Sequence, residues 1–251
     1  MLFTIIILIP KGNSGDFRGI GLLEVLWKII EKILDARLQL IPLHDCLHGF
    51  RKKRGCGTGI MEAKLAQQLA FIEQCPLFGI FIDLRKAYDA MDRERCLEIL
   101  RDCGVGEKII RLISRFWRDA EMACRAEGHY GRPFRARRGV TQGGPLSPTI
   151  FNLMVDAIVR EWVRILREEH DLGFEDVREL LAVFYADDGL IVSRNAEHLQ
   201  LAFDALIGLF ERVGLKTNTT KTESMVFLPG RIRTPLTEEG YEERMVDTFR
   251  E

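Results

Sequence analysis

Apolar residues along this chain form short runs that glycine, proline or charged segments separate. Leu2 to Ile9 and Phe78 to Ile82 are continuous runs, rich in isoleucine and phenylalanine, which favour buried strands. Leu22 to Leu40 and Leu146 to Glu168 repeat apolar residues every three or four positions, which predicts two amphipathic helices. The buried stripe predicted for the first helix is Leu23, Leu26, Ile30 and either Ile33 or Leu34.

The remaining pattern predicts four more helices and several further strands. The helices are predicted from Thr58 or Gly59 to Gln74, from Arg93 to Cys103, from Lys108 to Asp119 and from Ala196 to Val213. Short strands are predicted around Arg18, over Met122 to Ala126, over Phe134 to Arg138 and over Thr222 to Leu228. Because strands and helices alternate around an antiparallel hairpin, the predicted class is α+β, with helices packed on one face of a sheet.

That hairpin is predicted over Leu180 to Ser193, where an apolar run reaches Asp187 and Asp188 before Gly189 and a second apolar run. Asp-Gly between two β-rich segments predicts a turn at Gly189. An ordinary exposed turn is one interpretation. The other starts from Asp83, which ends the apolar run Phe78 to Ile82. If the two strands are neighbours, three carboxylates converge, and oxygen donors of this kind suit Mg²⁺ in a two-metal phosphoryl-transfer site.

Composition adds less than local charge does. The chain has 251 residues, is 47% hydrophobic and carries a net charge of −1, so it could form one large domain or two small ones. Two basic clusters, Arg51 to Arg54 and Arg132 to Arg138, stand out against this neutral total. Such clusters are commonly solvated surface, but two of them beside an acidic metal site would suit a phosphate backbone.

Six cysteines are scattered along the chain without a Cys-x-x-Cys pair, which fits a reducing, intracellular compartment and indicates no zinc ribbon. Whether that compartment is the nucleus or the cytoplasm cannot be read from the sequence. The apolar run at Leu2 to Ile9 is too short to span a bilayer, so no membrane association is predicted.

Several blocks, taken together and in order, resemble reverse transcriptases of the non-LTR retroelement and group II intron branch. Tyr185-Ala-Asp-Asp188 is similar to the Tyr-x-Asp-Asp box, and Ile82 to Asp89 resembles the first aspartate block. Arg138 to Pro148 is similar to the glycine-rich block, and Gly214 to Glu223 resembles the block that follows the aspartate pair. Three segments resemble the fingers blocks of the family: Ile9-Pro-Lys11, Phe17-Arg-Gly-Ile20 and His48-Gly-Phe-Arg51.

The resemblance implies a right-hand polymerase with a ferredoxin-like palm, fingers and no clear thumb. It implies fingers over residues 1–76, palm over 77–97 and 140–228, a fingers or palm insertion over 98–139, and a polar tail over 229–251. Too few residues follow the last predicted strand to build the family's primer-grip hairpin and thumb, so the chain is expected to be a fragment. The oligomeric state is not indicated.

The resemblance also implies the roles of individual residues. Asp83, Asp187 and Asp188 are the expected catalytic carboxylates, and together with the backbone carbonyl of Leu84 they are the expected ligands of two Mg²⁺ ions, which Mn²⁺ can replace. Asp188 could instead only stabilise the turn. Residues expected to bind the nucleotide are Lys11, Arg18, Tyr88, Gln142 and Lys221. Residues expected to bind nucleic acid are Arg51, Lys52, Lys53, Arg54, Gly143 and Gly144.

Tyr88 is expected to lie under the ribose and exclude a 2′-hydroxyl, unless it is an ordinary half-buried aromatic residue.

The implied activity is RNA-directed DNA synthesis, with an RNA template, a DNA primer or target DNA, and deoxynucleoside triphosphates as partners. Two alternatives stay open at this point. One is an RNA-directed RNA polymerase, whose usual box is Gly-Asp-Asp, and the other is a non-catalytic remnant that binds nucleic acid.

Overall fold

The computed structural model describes residues 3–11, 17–126, 128–173 and 180–229. The strands are β1 (Phe3–Pro10), β2 (Phe17–Leu23), β3 (Leu77–Asp83), β4 (Glu121–Ala126), β5 (His129–Tyr130), β6 (Leu181–Tyr185), β7 (Asp188–Ser193) and β8 (Glu223–Phe227). The helices are α1 (Val25–Leu38), α2 (Cys56–Ile72), α3 (Ala87–Ala90), α4 (Arg93–Asp102), α5 (Glu107–Asp119), α6 (Ser147–His170) and α7 (Ala196–Arg212). The predicted tail lies outside the described residues from position 230 onward.

The four strands in the order β6-β7-β3-β8 form one antiparallel sheet, here called the palm sheet. Along the chain, β3 is followed by helices, then by the β6–β7 hairpin, then by α7 and β8. This is the βαββαβ order of a ferredoxin-like unit. The α+β class and the palm fold expected from the sequence are therefore confirmed.

One face of the palm sheet is buried under α6 and α7. Ile80 and Ile82 of β3 and Ile191 of β7 point into this core. Trp162 of α6 is fully buried, and its Nε1 donates to the carbonyl of Ala202 in α7 at 2.7 Å. The two helices are thereby fixed to each other as well as to the sheet.

The prediction that helices cover only one face is wrong. Helix α2 lies against part of the opposite face, where Ala66 and Ala70 pack on Leu77 and Val192. The small side chains of α2 allow this close approach. The same face stays open toward the other end of the strands, where Phe81 is 44% exposed. The carboxylates Asp83 and Asp188 belong to this open face, because residues two apart along a strand share a face.

The second sheet has the order β2-β1-β4-β5 and is here called the fingers sheet. It joins strands from the first third of the chain to strands from the 98–139 segment, through a parallel pairing of β1 with β4. The strand division thus follows the predicted segments, but their assignment as separate domains stays a prediction.

Three predictions about local structure are wrong. Helix α1 begins at Val25 rather than Leu22, because Leu22 and Leu23 pair with β1. Its buried side consists of Trp27, Glu31, Leu34 and Leu38, whereas Leu26 is 75% exposed. The second arm of the β4 hairpin is His129–Tyr130, and Phe134 makes only an isolated bridge to Met122. No described helix has the length and apolarity that a membrane crossing needs.

Candidate active site

The β6–β7 hairpin turns two residues earlier than its Asp188-Gly189 signal predicts. Tyr185 pairs with Asp188, so Ala186 and Asp187 form the two-residue loop. Ala186 has φ of +56°, a conformation that costs an alanine roughly 1 kcal/mol or more relative to glycine. Gly189 lies within β7 instead, where a Cβ atom would come within 2.8 Å of the Phe184 ring. The glycine is therefore required by packing rather than by the turn.

The sheet register brings the carboxylates together. Asp83, the last residue of β3, lies directly opposite Asp188, the first residue of β7. Asp187 precedes Asp188 at the hairpin tip. Burial raises the pKa of the Asp188 carboxyl, and the negative charges of Asp187 and Asp83 raise it further, while Lys221 opposes the shift. Repulsion of this kind is what a bound cation relieves.

The segment after α7 supports Asp83. Asn218 donates its side-chain Nδ2 to Asp83 Oδ2 at 2.7 Å and its backbone N–H to the Asp83 carbonyl at 2.7 Å. Leu84 lies opposite Thr217 in an antiparallel bridge. The residues on either side of Leu84 make the hydrogen bonds: Arg85 N–H donates to Lys216 O, and Asn218 N–H donates to Asp83 O. Since carbonyls alternate along an antiparallel pair, the carbonyl of Leu84 points away from this partner, toward the side of β7.

The hairpin tip rests on the loop between α1 and α2. Leu47 bridges to Phe184 through two backbone hydrogen bonds, His48 N–H to Phe184 O and Phe184 N–H to Cys46 O. A Cβ atom on Gly49 would lie 2.7 Å from the Ala186 nitrogen, so only glycine fits there. Asn152 of α6 donates to the Gly49 carbonyl at 2.7 Å and holds this loop in place.

The donor set fits a magnesium site that substrate completes. Among the described residues, no three His, Cys, Asp or Glu side chains form a ready-made metal cage. Mg²⁺ in phosphoryl-transfer sites usually takes only one or two protein carboxylates and fills its other positions with water and substrate phosphates. Asp83, Asp187 and Asp188 supply such carboxylates at an open edge, with the Leu84 carbonyl beside them. The residues present therefore fit the expected group.

Tyr88 lies beside this edge with its ring fixed by stacking. Its ring and that of Phe151 are 4.6 Å apart between centroids, at an interplanar angle of 15°. Its hydroxyl is buried and has no hydrogen-bond partner in the described part of the chain. Burial raises the pKa of this phenol, and the charge of Asp187 raises it further, so the hydroxyl stays protonated.

The glycine-rich loop packs against the chain just after Asp83. A Cβ atom on Gly139, whose φ is +75°, would lie 2.4 Å from the Tyr88 carbonyl oxygen. Val140 N–H donates to that same carbonyl at 2.8 Å. Gln142 then donates its side-chain Nε2 to Asp89 Oδ1 at 3.1 Å, which leaves the Gln142 amide oxygen free of this contact. Gln142 is thus connected to the aspartate block.

Gly143 and Gly144 are explained by contacts within the protein. A Cβ atom on Gly143 would lie 2.6 Å from the Gly21 carbonyl oxygen, and one on Gly144 would lie 2.8 Å from Glu31 Oε2. Glu31 is 4% exposed and accepts from Trp27 Nε1 and from Leu146 N–H. Burial raises the pKa of Glu31, although these two donors oppose the shift. The binding of nucleic acid by these two glycines, expected from the sequence, stays a prediction.

The basic cluster at 51–54 is divided between two uses. Arg51 donates to the backbone carbonyls of His44, Leu47 and Leu43 at 2.7–3.2 Å, so it holds the loop that supports the hairpin. Arg54 pairs with Asp45 at 2.7 Å and with Glu62 at 3.5 Å. Lys52 and Lys53 are exposed. Nucleic-acid binding by the four residues stays a prediction, and the structure adds a structural role for Arg51.

The other predicted nucleotide contacts lie on exposed positions. Lys11 follows β1, and Arg18 pairs with Ile9 across the β1–β2 ladder. Lys221 is exposed in the turn after Asn218 and lies close enough to Asp188 to lower its pKa. Their contacts with a nucleotide stay predictions.

One family of known proteins matches nearly the whole chain. The profile of the family described as "Reverse transcriptase (RNA-dependent DNA polymerase)" matches residues 9–244. The chain belongs to the reverse transcriptase family. This membership favours reverse transcription over the RNA-directed RNA polymerase alternative.

Two of the chain's relatives are proteins of retrotransposable elements. The chain is 26% identical over 223 residues to the retrovirus-related Pol polyprotein from type-2 retrotransposable element R2DM of Drosophila melanogaster, over 86% of this chain and 20% of the relative. It is 25% identical over 232 residues to the Pol polyprotein from type-1 element R2 of Nasonia vitripennis, over 89% of this chain and 22% of the relative. The chain thus spans about a fifth of the length of these reverse transcriptase relatives.

Solved structures share the fold. Apo telomerase from Candida tropicalis, truncated from its C-terminal domain, superposes with a TM-score of 0.68 at 17% identity, over 94% of this chain and 52% of that one. Telomerase from Candida albicans in complex with a fragment of telomeric RNA gives a TM-score of 0.68 at 15% identity, over 90% of this chain and 43% of that one. These likenesses support the right-hand polymerase fold for this family member.

Sequence reasoning missed the residues that position the expected site. Asn218 lies three residues before Lys221 in the same block, so its place in that block was an available signal. Gly49 also lies within a block that carries the family resemblance, but its role depends on contact with the distant hairpin tip. Arg93, which donates to the carbonyls of Trp117, Ala136 and Gly139, gave no signal at all.

Proposed function

We propose that this chain is an RNA-directed DNA polymerase domain of a retroelement, which adds deoxynucleotides to a primer 3′-hydroxyl opposite an RNA template. The observation that carries the proposal is the register that sets Asp83 opposite Asp188, with Asp187 at the adjoining tip. Family membership over residues 9–244 supports the same activity.

In this proposal Asp83 and Asp187 bind two Mg²⁺ ions, for which Mn²⁺ can substitute, and Asp188 and the Leu84 carbonyl complete the set. Bound there, divalent cations would make the primer hydroxyl easier to deprotonate and would offset the charge on the leaving pyrophosphate. Asn218 holds the Asp83 carboxylate in a fixed rotamer. The carboxylate therefore does not have to be ordered when substrate binds.

The cations and the Tyr88 ring position the nucleotide. Lys11 and Arg18 bind the triphosphate, where charge-assisted hydrogen bonds are strong. Lys221, whose charge lowers the pKa of Asp188, neutralises or protonates the departing pyrophosphate. Gln142, held by Asp89, presents its amide oxygen to the nucleotide or the template.

The partners follow from the same proposal. They are an RNA template, a DNA primer or target DNA, and deoxynucleoside triphosphates, with Lys52, Lys53, Gly143 and Gly144 next to the nucleic acid. A telomerase neighbour was solved with a fragment of telomeric RNA, which supports an RNA partner. We assign residues 1–76 and 98–139 to the fingers and 77–97 and 140–228 to the palm. The six free thiols support a reducing, intracellular compartment.

A primer-extension assay on an RNA template tests the proposal. With Mg²⁺ and deoxynucleotides, the purified protein should extend a DNA primer, and EDTA should stop it. Extension with ribonucleotides in preference to deoxynucleotides would instead identify an RNA polymerase. Tight binding of primer–template without extension under either nucleotide set would identify a non-catalytic remnant.

A further inference from the structure

Helix α5 has one buried face and one strongly basic face. Ile110, Ile113, Phe116 and Trp117 are buried in the core. The opposite side carries Lys108, Arg111, Arg115 and Arg118, all of them exposed. Because residues three and four apart share a helix face, these cations form a continuous stripe along the outside of the helix.

The charge of this region differs from that of the chain. Between Glu107 and Arg138 nine residues are Lys or Arg and four are Asp or Glu, a net charge of +5, whereas the whole chain carries −1. Asp119, one of these four carboxylates, has more than one arginine near it. Asp119 pairs with Arg118 at 2.9 Å, and the charges of Arg115 and Arg135 also act on it. In the described part of the chain, Arg115 has no ion pair of its own.

The stripe continues into the loop that precedes the glycine-rich loop. Arg93 is partly buried and donates to the carbonyls of Trp117 in α5, Ala136 and Gly139. Its guanidinium also lies 5.4 Å from the Trp117 ring centroid. This fixes the end of α5 beside the exposed loop arginines. The α5 basic surface is defined here as Arg111, Arg115, Arg118, Arg132, Arg135, Arg137 and Arg138.

Exposed aromatic rings accompany these cations. Tyr130 is 56% exposed, and Arg125 lies 5.6 Å from its ring centroid. Phe134, between Arg132 and Arg135, is 45% exposed. Arginine together with exposed aromatic rings is the combination that binds single-stranded nucleic acid, through phosphate contacts and base stacking.

We propose that the α5 basic surface binds a single strand of RNA outside the catalytic edge. Arg111 and Arg115 are about 6 Å apart along the helix axis, at 1.5 Å per residue, which suits successive phosphates of one strand. The surface leads through Arg137 and Arg138 to Gly139, which packs on Tyr88 beside the aspartates. The strand is therefore the part of the RNA template that has not yet been copied, an identification that rests on the proposed function.

The ion pairs of the surface do not argue against binding. Arg111 is 4.0 Å from Glu107, and Arg135 is 3.1 Å from Glu121, with the arginine side chains 74% and 60% exposed. Exposed pairs of this kind contribute little stability. Phosphates can therefore replace these partners at small cost.

Binding and extension by one triple variant test the inference. R111Q, R115Q and R118Q together remove the helical part of the surface and keep good helix formers. The matched control removes three exposed helical arginines elsewhere, with R95Q, R164Q and R212Q. Binding of an unstructured 30-nucleotide RNA is measured in EDTA over a range of salt. Extension is compared on templates with short and long 5′ overhangs.

The triple variant should bind the RNA about tenfold more weakly, and its log–log salt slope should fall by about 2, at about 0.7 for each phosphate lost on a single strand. The control variant should change neither. The KM for the long-overhang template should rise in the triple variant alone, with short-overhang extension unchanged. Equal behaviour of the two variants in RNA binding would overturn the proposal, as would a loss confined to DNA of the same sequence. Because binding is measured without catalysis, failure of extension in the unmodified protein would refute the polymerase and leave the binding result standing.

Discussion

The palm sheet and the fingers sheet place charged residues in different ways. In the palm sheet, the backbone ladder itself sets Asp83 opposite Asp188, and the hairpin loop adds Asp187. In the fingers sheet and in the loop between α1 and α2, charged residues are placed without such a ladder: Lys11 and Arg18 are exposed, and the cluster at 51–54 lies in that loop. There, individual side-chain contacts decide which cation is available.

The difference shows what fixes the position of a charged residue. A carboxylate at the end of a strand keeps its place because many hydrogen bonds define the register. A basic cluster has no such constraint, and Arg51 is in fact bound to three carbonyls of its own loop. We therefore expect substitutions at the palm edge to abolish chemistry, and substitutions among the cations to have graded effects on binding.

The largest effect is expected at the hairpin tip. Asp187→Asn removes a charge from the proposed metal site while keeping the size of the side chain. Loss of several kcal/mol of transition-state stabilisation should lower primer extension by about a thousandfold or more. Asp204→Asn, at an exposed position on α7, is the control and should be neutral. Unmodified turnover by Asp187→Asn at the same Mg²⁺ concentration would remove Asp187 from the site.

A smaller effect is expected where the loop after α1 supports the palm edge. Gly49→Ala introduces a Cβ atom 2.7 Å from the Ala186 nitrogen, so the hairpin tip must move. Extension should fall about tenfold, and the melting temperature should fall with it, since overpacking costs about 1–3 kcal/mol. Gly57→Ala, where a Cβ atom meets nothing within 4 Å, should do neither. Full activity in Gly49→Ala would show that this contact does not position the aspartates.

Sugar selection tests whether a fixed ring has a function beyond packing. Tyr88→Ala removes a ring that stacks on Phe151, and it should lower the preference for deoxynucleotides about tenfold in the ratio of kcat/KM values. Tyr88→Phe keeps the ring and loses a hydroxyl without a partner in the described chain, so selection should persist. An unchanged preference in Tyr88→Ala would mean that another residue selects the sugar.

The smallest effect separates the two uses of the cluster at 51–54. Lys52→Gln with Lys53→Gln should reduce the salt slope of duplex binding by about 2, at about 0.9 for each phosphate contact, with little change in melting temperature. Arg51→Gln should chiefly lower the melting temperature, because three backbone carbonyls lose their donor. The same salt slope in the lysine variant and the unmodified protein would show that these lysines are only solvated.

The sequence predicted best those elements that a long apolar pattern or a helix cap defines. Helix α4 begins at Arg93 as predicted, where the carboxylate of Asp92 caps it by accepting from Glu94 N–H and Arg95 N–H. Helix α6 and strand β3 were likewise expected close to their observed limits, because long apolar patterns determine them. The convergence of Asp83 with Asp187 and Asp188 requires β3 and β7 to be neighbours, which the sequence alone does not determine and the register shows.

The missed features depend on distant partners. In α1, the sequence offers apolar residues all around the helix, so periodicity could not show that Glu31 is buried while Leu26 is exposed. Glu31 is buried because Trp27 Nε1 and Leu146 N–H satisfy its carboxylate, and Leu146 is far away in the chain. Gly189 was assigned to the turn by its neighbour Asp188, whereas contact with Phe184 across the hairpin decides its place.

We expect the palm edge to bind divalent cations for nucleotide transfer. Anomalous diffraction from Mn²⁺ in crystals with primer–template and a non-hydrolysable deoxynucleotide tests it most directly. We expect strong peaks within about 2.2 Å of carboxylate oxygens of Asp83 and Asp187, the distance range of hard divalent cations. In Asp187→Asn crystals those peaks should weaken or vanish. Peaks elsewhere in the unmodified complex, with none between Asp83 and Asp187, would contradict the account.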